Sequence, residues 1–186
     1  MRYYVDLKPY FNLRMAYPQD TALNEVDYIG THNYFFIQEG MEWGIISNHE
    51  AAIKLERTDN FDCIECNNQI IEVPGITGDK IVIAGCCIWE FYNEKFKIEY
   101  DDGSTEYVPV CFGDWARSIE DFTKYTLELE TSQYEKCKIL KECPRRDGTA
   151  YIYYVAASLN HAQKVKRIIF PDNICMFIFG ITLEAR

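Results

Sequence analysis

The sequence predicts an all-β, antiparallel sandwich or barrel. Short apolar runs alternate with turn signals along almost all of its 186 residues. Asp-Gly and Asn-Asn pairs stand between alternating runs, where hairpin turns need residues that tolerate positive φ. Fourteen Tyr, eleven Phe and three Trp enrich the chain in residues that favour strands. No long amphipathic helix competes, and no repeat or low-complexity linker divides the chain. One domain is expected within residues 1–186, with strands from about residue 3 to residue 184.

The elements read in order as follows. "FDCIEC-NN-QIIEV" is expected to be a hairpin with Asn67 and Asn68 in its turn. "DKIVIAGC" is nearly continuous in apolar residues and is expected to be buried on both faces. "EKFKIEY-DDGS-TEYVPVCF" is the clearest hairpin, turning at Asp102-Gly103. Phe96, Ile98 and Tyr100 share one face of its first strand, and Lys95, Lys97 and Glu99 the other. On its second strand Val108, Val110 and Phe112 alternate with Tyr107, Pro109 and Cys111; Pro109 cannot donate to a ladder and marks an edge or a bulge. "AYIYYVAAS", "KVKRIIF" and "CMFIFGITLE" close the chain, with a turn at Pro171–Asn173 between the last two. In the last strand Phe177, Phe179, Ile181 and Leu183 face one way, and Met176, Ile178 and Thr182 the other. The stretch from Trp115 to Cys143 is the least regular and is read as loop and strand, with room for a helical turn near Ser118–Tyr125.

Composition narrows the function. Hydrophobic residues make up 48% and charged residues 26%, enough for a substantial core. A net charge of −10 argues against nucleic acid or an anionic membrane as partner, since both need a basic surface. A neutral ligand such as a sugar carries no such penalty. No stretch approaches the ~20 apolar residues of a membrane span. "MRYYVDLKPYF" lacks the apolar run of a signal peptide, so with Met1 as the native start the expected location is cytoplasmic, with reduced cysteines.

Eight cysteines and three histidines invite a metal or thiol reading. Cys63 and Cys66 form a CxxC, but zinc needs a second pair and a tight turn, and redox CxxC motifs open helices. Within a strand, a spacing of three sends the two side chains to opposite faces, one to the core and one to the surface. Cys86 and Cys87 are expected to be small buried hydrophobes at a strand end. Cys111, Cys137, Cys143 and Cys175 occupy similar apolar or mixed runs, and no histidine stands out as a partner for a catalytic thiol. No metal site is assigned from them.

Several segments, taken in order, resemble the jelly-roll accessory domains of bacterial glycoside hydrolases, which have the galactose-binding-like fold. "VDLKPYFN" (Val5–Asn12) resembles their opening strand. "IEVPGITGDKIVIAGCC" (Ile71–Cys87) resembles the segment where a short turn leads into a buried strand. "FKIEYDDGSTEYVPVCFGDW" (Phe96–Trp115) resembles their most recognisable element, a hairpin with an Asp-Gly turn ending in Asp-Trp. "YIYYVAASLNHAQKVKRIIFPDNICMFIFGITLE" (Tyr151–Glu184) resembles their end. The resemblance omits Arg117–Arg146 and parts of Ala16–Asp59, and the family's Gly-Gln pair is replaced here by "IAGCCIWE". It implies an antiparallel jelly-roll β-sandwich that binds carbohydrate or buttresses a glycosidase or other partner protein. Some domains of this fold carry a structural calcium, for which Asp101 and Asp102 are the candidates; a calcium site takes about six to eight oxygens, and the hairpin turn already accounts for both. No other cofactor is expected.

A sugar-binding site needs an aromatic ring against the apolar face of a pyranose, and paired donors and acceptors for its hydroxyls. The best candidates are Trp89, Glu90, Tyr92 and Asn93, in the loop between two strands. Asp114, Trp115 and Arg117 follow a strand, and His32, Asn33 and Tyr34 precede another. Trp43 is also available. Against these, Asp114 can cap its own turn and Trp115 can pack into the core, while Trp89 can plug a loop. The 29 acidic residues include no recognisable catalytic motif, phosphate loop or nucleophile elbow, so enzyme activity is not expected. The alternative to a carbohydrate-binding or glycosidase-accessory module is a structural or protein-interaction domain that self-associates, without a sugar ligand.

Overall fold

In the computed structural model, residues 1–18, 35–37, 43–118, 137–145, 148–159 and 163–185 are described. The strands are β1 (Arg2–Tyr4), β2 (Ala16–Pro18), β3 (Phe35–Ile37), β4 (Ile45–Ser47), β5 (Ala52–Lys54), β6 (Ile64–Asn67) and β7 (Ile70–Thr77). They continue with β8 (Lys80–Cys87), β9 (Tyr92–Tyr100), β10 (Thr105–Phe112), β11 (Cys137–Arg145), β12 (Gly148–Ser158), β13 (Lys164–Ile169) and β14 (Asp172–Glu184). A single 3-10 turn spans Lys8–Tyr10, and no α-helix occurs among the described residues. The expected helical turn near Ser118–Tyr125 lies outside them, apart from Ser118 itself.

The fold is an all-β sandwich of antiparallel sheets. The larger sheet runs β1-β14-β8-β12-β11, and β6 lies beside the first half of β14. The smaller sheet runs β10-β9-β13-β7. One small pair, β2 with β3, is parallel. The β9–β10 hairpin pairs Thr105 with Glu99 through Phe112 with Tyr92, and turns at Gly103 with φ 85°. Its Phe96, Ile98, Tyr100, Val108, Val110 and Phe112 are buried, as the alternation predicts. Cys111 is buried as well, although it alternates with them. Pro109 sits on the edge strand β10, where a missing N–H leaves no ladder bond unmade. Phe96 meets Phe170 of the neighbouring connection edge-on, with ring centroids 5.0 Å apart.

The Asn67-Asn68 segment is not a hairpin. Asn68 takes positive φ (55°), but β6 joins β14 in the larger sheet while β7 joins β13 in the smaller one. The connection is a corner between sheets. It lies against the parallel corner from β13 to β14: Asn68 N–H donates to the Pro171 carbonyl at 3.2 Å, and Phe170 N–H donates to the Gln69 carbonyl at 2.9 Å. The Gln69 amide closes the turn locally, accepting from Asn67 N–H and donating to the Glu65 carbonyl. Each corner supplies the other's backbone partners, so neither needs to fold back as a hairpin.

Strands β8 and β14 are buried on both faces. In β8 every residue after Lys80 is buried, and β14 is buried from Met176 to Leu183. The smaller sheet covers one face. The β4–β5 hairpin covers the other, its turn fixed by the Asn48 side chain, which accepts from Glu50 N–H and Ala51 N–H. The approach is close at Gly180, where a Cβ would stand 2.6 Å from Ile53 Cγ2 and 2.8 Å from the Lys54 carbonyl. Double coverage also corrects the expectation for Cys63 and Cys66, both of which are fully buried. Opposite faces of this sheet are both interior.

Gly180→Ala tests that arrangement. The extra methyl forces β5 off the sheet, costing about 1–3 kcal/mol as overpacking does, and thermal unfolding should record a Tm several degrees lower. An unchanged Tm would show that β5 does not seat on Gly180.

Candidate ligand-binding site

The two best sequence candidates, the loop after β8 and the segment after β10, come together in space. The main chain joins them: Cys87 N–H donates to the Gly113 carbonyl at 2.8 Å, and Trp115 N–H donates to the Cys87 carbonyl at 2.8 Å. Beyond this bridge Asp114 is buried and caps its own turn, accepting from Ala116 N–H at 2.7 Å. The same carboxylate accepts the backbone N–H of Trp89. Burial pushes the Asp114 pKa up despite these bonds and the nearby Arg117 and Arg145.

Trp115 is 4% exposed, which removes it from the list of rings open to a ligand. Its indole packs into the core beneath the Arg145 guanidinium, 4.9 Å from the ring centroid. Asp114 and Trp115 are therefore braces and do not form a stacking surface, because burying an indole is worth more than exposing it. Arg117 remains exposed; its N–H donates to the Asp114 carbonyl and its own carbonyl accepts the Tyr153 hydroxyl.

Trp89 behaves in the opposite way. It is 59% exposed and holds φ 75°, a left-handed conformation that costs an indole-bearing residue roughly 1–2 kcal/mol. The residues around it explain how it is held. Ile88 is buried and its N–H donates to the Cys175 carbonyl at 3.0 Å. Phe91 is tucked inward, near Tyr153 and so close to Gly113 that a Cβ there would meet its ring at 2.7 Å. Phe91 is the loop plug, and no local pattern in the sequence marks it, because the glycine it covers lies 22 residues later. Glu90 and Asn93 are exposed, and Tyr92 is half-buried with its hydroxyl bonded to Cys175, which pushes its pKa up to about 12. His32, Asn33 and Tyr34 lie outside the described residues. Trp43 is partly buried against the core, with Lys141 Nζ 6.0 Å above its ring.

The buried thiols are chemically quiet. All but Cys175 are buried, and none is in a disulfide. Burial holds Cys63, Cys66, Cys86 and Cys87 well above the ordinary thiol range, Cys111 at about 12 and Cys143 at about 11, so none supplies thiolate at neutral pH. Asp102 Oδ1 accepts both Ser104 N–H and its hydroxyl, as the turn reading of that carboxylate anticipates.

A second feature was not visible in the sequence. Arg14, Arg57, Thr58, Asp59, Phe61 and Asp62 line a cleft of about 320 Å³. Asp62 is 2% exposed; its two oxygens accept Met15 N–H at 2.9 Å and Ala16 N–H at 2.8 Å. Desolvation outweighs those bonds and the Arg14 charge, and raises its pKa from 3.8 to about 6. Nothing local marks Asp62 in the sequence, since its partners lie 46 and 47 residues away.

Compared with protein-family models and with curated proteins, the chain matches none.

Asp62 makes stability pH-dependent. Between about pH 4 and 6 the folded chain keeps a proton that the unfolded chain has lost. Its contribution is therefore full below about pH 4 and is lost as pH rises through 6, with a span of roughly 3 kcal/mol. Denaturant unfolding across this range should show wild-type stability falling relative to Asp62→Asn. A constant difference between the two would contradict the raised pKa.

Proposed function

We propose that this chain is a non-catalytic carbohydrate-binding or glycosidase-accessory module of galactose-binding-like jelly-roll type. Trp89 provides the stacking ring, with Glu90, Tyr92, Asn93 and Arg117 around it as partners for sugar hydroxyls. The observation that carries this reading is the exposure of Trp89 in a strained conformation. A ring this large at 59% exposure gains little from the fold, and its left-handed backbone costs stability. Residues held in such conformations by their surroundings cluster at binding sites. The indole offers a flat apolar face, while Glu90 and Asn93 add exposed polar groups. The net charge of −10 favours a ligand that is not a polyanion. No cofactor is invoked.

A protein-binding reading is favoured by one observation. Ile174 is also 59% exposed and precedes Cys175, whose carbonyl receives the Ile88 N–H, so it lies at the same end of the sandwich as Trp89. In that reading the end of the sandwich docks on a glycosidase or on a second copy, and sedimentation would show an oligomer that Ile174→Ser disperses.

Glycan-array screening followed by calorimetry tests the first reading. Trp89→Gly is the informative variant, because glycine accepts φ 75° without strain and its Tm should equal or exceed that of the wild type. Affinity for the bound glycan should fall about tenfold or more, as expected when a stacking aromatic is removed. Failure to bind any glycan class, or equal binding by Trp89→Gly, would remove the carbohydrate reading.

A further inference from the structure

We infer that the cleft between Arg14, Arg57, Asp59 and Phe61 is a second ligand site, built for a sugar ring that carries a carboxylate, a hexuronate. Its ligand type rests on the carbohydrate reading, but its residues are separate from the Trp89 loop.

The cleft presents donors without acceptors. Arg14 Nε donates to the Ala16 carbonyl at 3.2 Å, and its guanidinium lies over the Tyr17 ring, 4.7 Å from the centroid. Both contacts fix the plane of the group. Its terminal nitrogens have no acceptor among the described residues. Arg57 is exposed and makes no hydrogen bond or ion pair with a described residue. Two guanidiniums with open N–H forks, one of them already oriented, match the paired oxygens of a carboxylate.

The acceptors point to hydroxyls. Asp59 is exposed and likewise has no partner among the described residues. Asp62 is already committed, since each oxygen accepts one backbone N–H and the carboxylate also takes the Cys63 thiol, so it shapes the cleft wall and leaves Asp59 as the open acceptor. A simple oxyanion offers that carboxylate nothing to accept. A neutral hexose offers the arginines no charge. A hexuronate has both a carboxylate and hydroxyl donors. Phe61, 41% exposed, supplies an apolar ring at the rim.

The rim is rigid. Thr58 N–H and its hydroxyl both donate to the Phe61 carbonyl, at 2.7 and 3.0 Å, and Phe61 N–H donates to Thr58 Oγ1 at 2.9 Å. This double closure presents Arg57, Asp59 and Phe61 from one fixed turn, so little ordering is needed on binding. A volume of about 320 Å³ falls at the small end of ligand sites, about 300–1,000 Å³, which suits one ring.

Protonation adds a second signature. Asp62 faces Arg14, Cys63 and the Met15 and Ala16 amides, with Arg57 and Asp59 on the same cleft. Its protonation as pH falls from 7 to 5 removes one negative charge beside the bound carboxylate, so affinity should rise over that interval.

Calorimetry with galacturonate and glucuronate, against galactose, glucose, acetate and sulfate, tests the inference on the full chain. Binding is expected for a hexuronate, at least tenfold weaker for the neutral hexoses and simple anions, and weakened about tenfold in Arg57→Gln. Arg14→Gln should behave similarly, and circular dichroism should show both variants folded. Trp89→Gly should bind the hexuronate as the wild type does. Equal affinity for hexoses or for acetate, no hexuronate binding, affinity retained in Arg57→Gln, or affinity that falls from pH 7 to 5 would each overturn it. Trp89-dependent glycan binding without hexuronate binding would overturn this inference alone and leave the proposed function standing.

Discussion

Two strands of this protein, β8 and β14, have no face left for water, and most of its structure follows from that constraint. A strand buried on both sides cannot alternate apolar with polar residues. It must be apolar throughout, and it must be narrow wherever a covering element comes near. Ala84, Gly85, Cys86 and Cys87 meet both demands in β8, and Gly180 does so in β14. Small side chains also let the smaller sheet approach: a Cβ on Gly85 would lie 2.5 Å from the Phe112 ring. The cysteines belong to the same logic. They are small, apolar and buried, and the burial that makes them useful for packing removes their thiolate chemistry.

The loop carrying Trp89 inherits its shape from this packed centre. Where β8 ends, Cys87 bonds on both sides to the segment after β10, and Asp114 is drawn beneath the loop. From there a buried carboxylate takes the Trp89 N–H, Phe91 fills the space over Gly113, and the indole is left outside. The division of labour is sharp: Trp115 and Phe91 satisfy the core, and Trp89 is free to do something else. The Asp62 cleft follows a parallel principle with different chemistry, since a buried carboxylate there organises the Met15–Ala16 backbone next to two arginines.

Local patterns in the sequence made the architecture legible, and long-range partners hid the rest. The β9–β10 hairpin, the edge position of Pro109 and the buried run of β8 could all be read because period-2 alternation and turn chemistry act within a few residues. The Asn67-Asn68 turn misled for a physical reason. Asn68 does take positive φ, but a residue in that conformation serves a corner as well as a hairpin, and the choice was made by Pro171, about a hundred residues later. Cys63 and Cys66 misled because opposite faces imply core and surface only when one face is wet. At the site, exposed Trp89 and buried Trp115 each sit at a strand end beside an acidic residue, so composition could not separate them. Asp62 and Arg14 gave no signal, because their cleft is assembled across more than 40 residues of chain.

The position of β14 also has a consequence for how the chain reaches this state. Its 13 residues pair with β1 and β6 on one side and with β8 on the other. They also follow every other described strand in the sequence. Without them the larger sheet is left as β1, β6 and the β8-β12-β11 group, with one edge of β8 unpaired. Docking β14 closes loops of about 90 or more and of more than 170 residues at once, a topology that folds slowly and exposes sticky surface while it waits. A chain lacking the residues from Asp172 onward would hold nearly every other strand of the sandwich and none of its closure, which makes β14 a checkpoint between a sticky intermediate and the closed sheet.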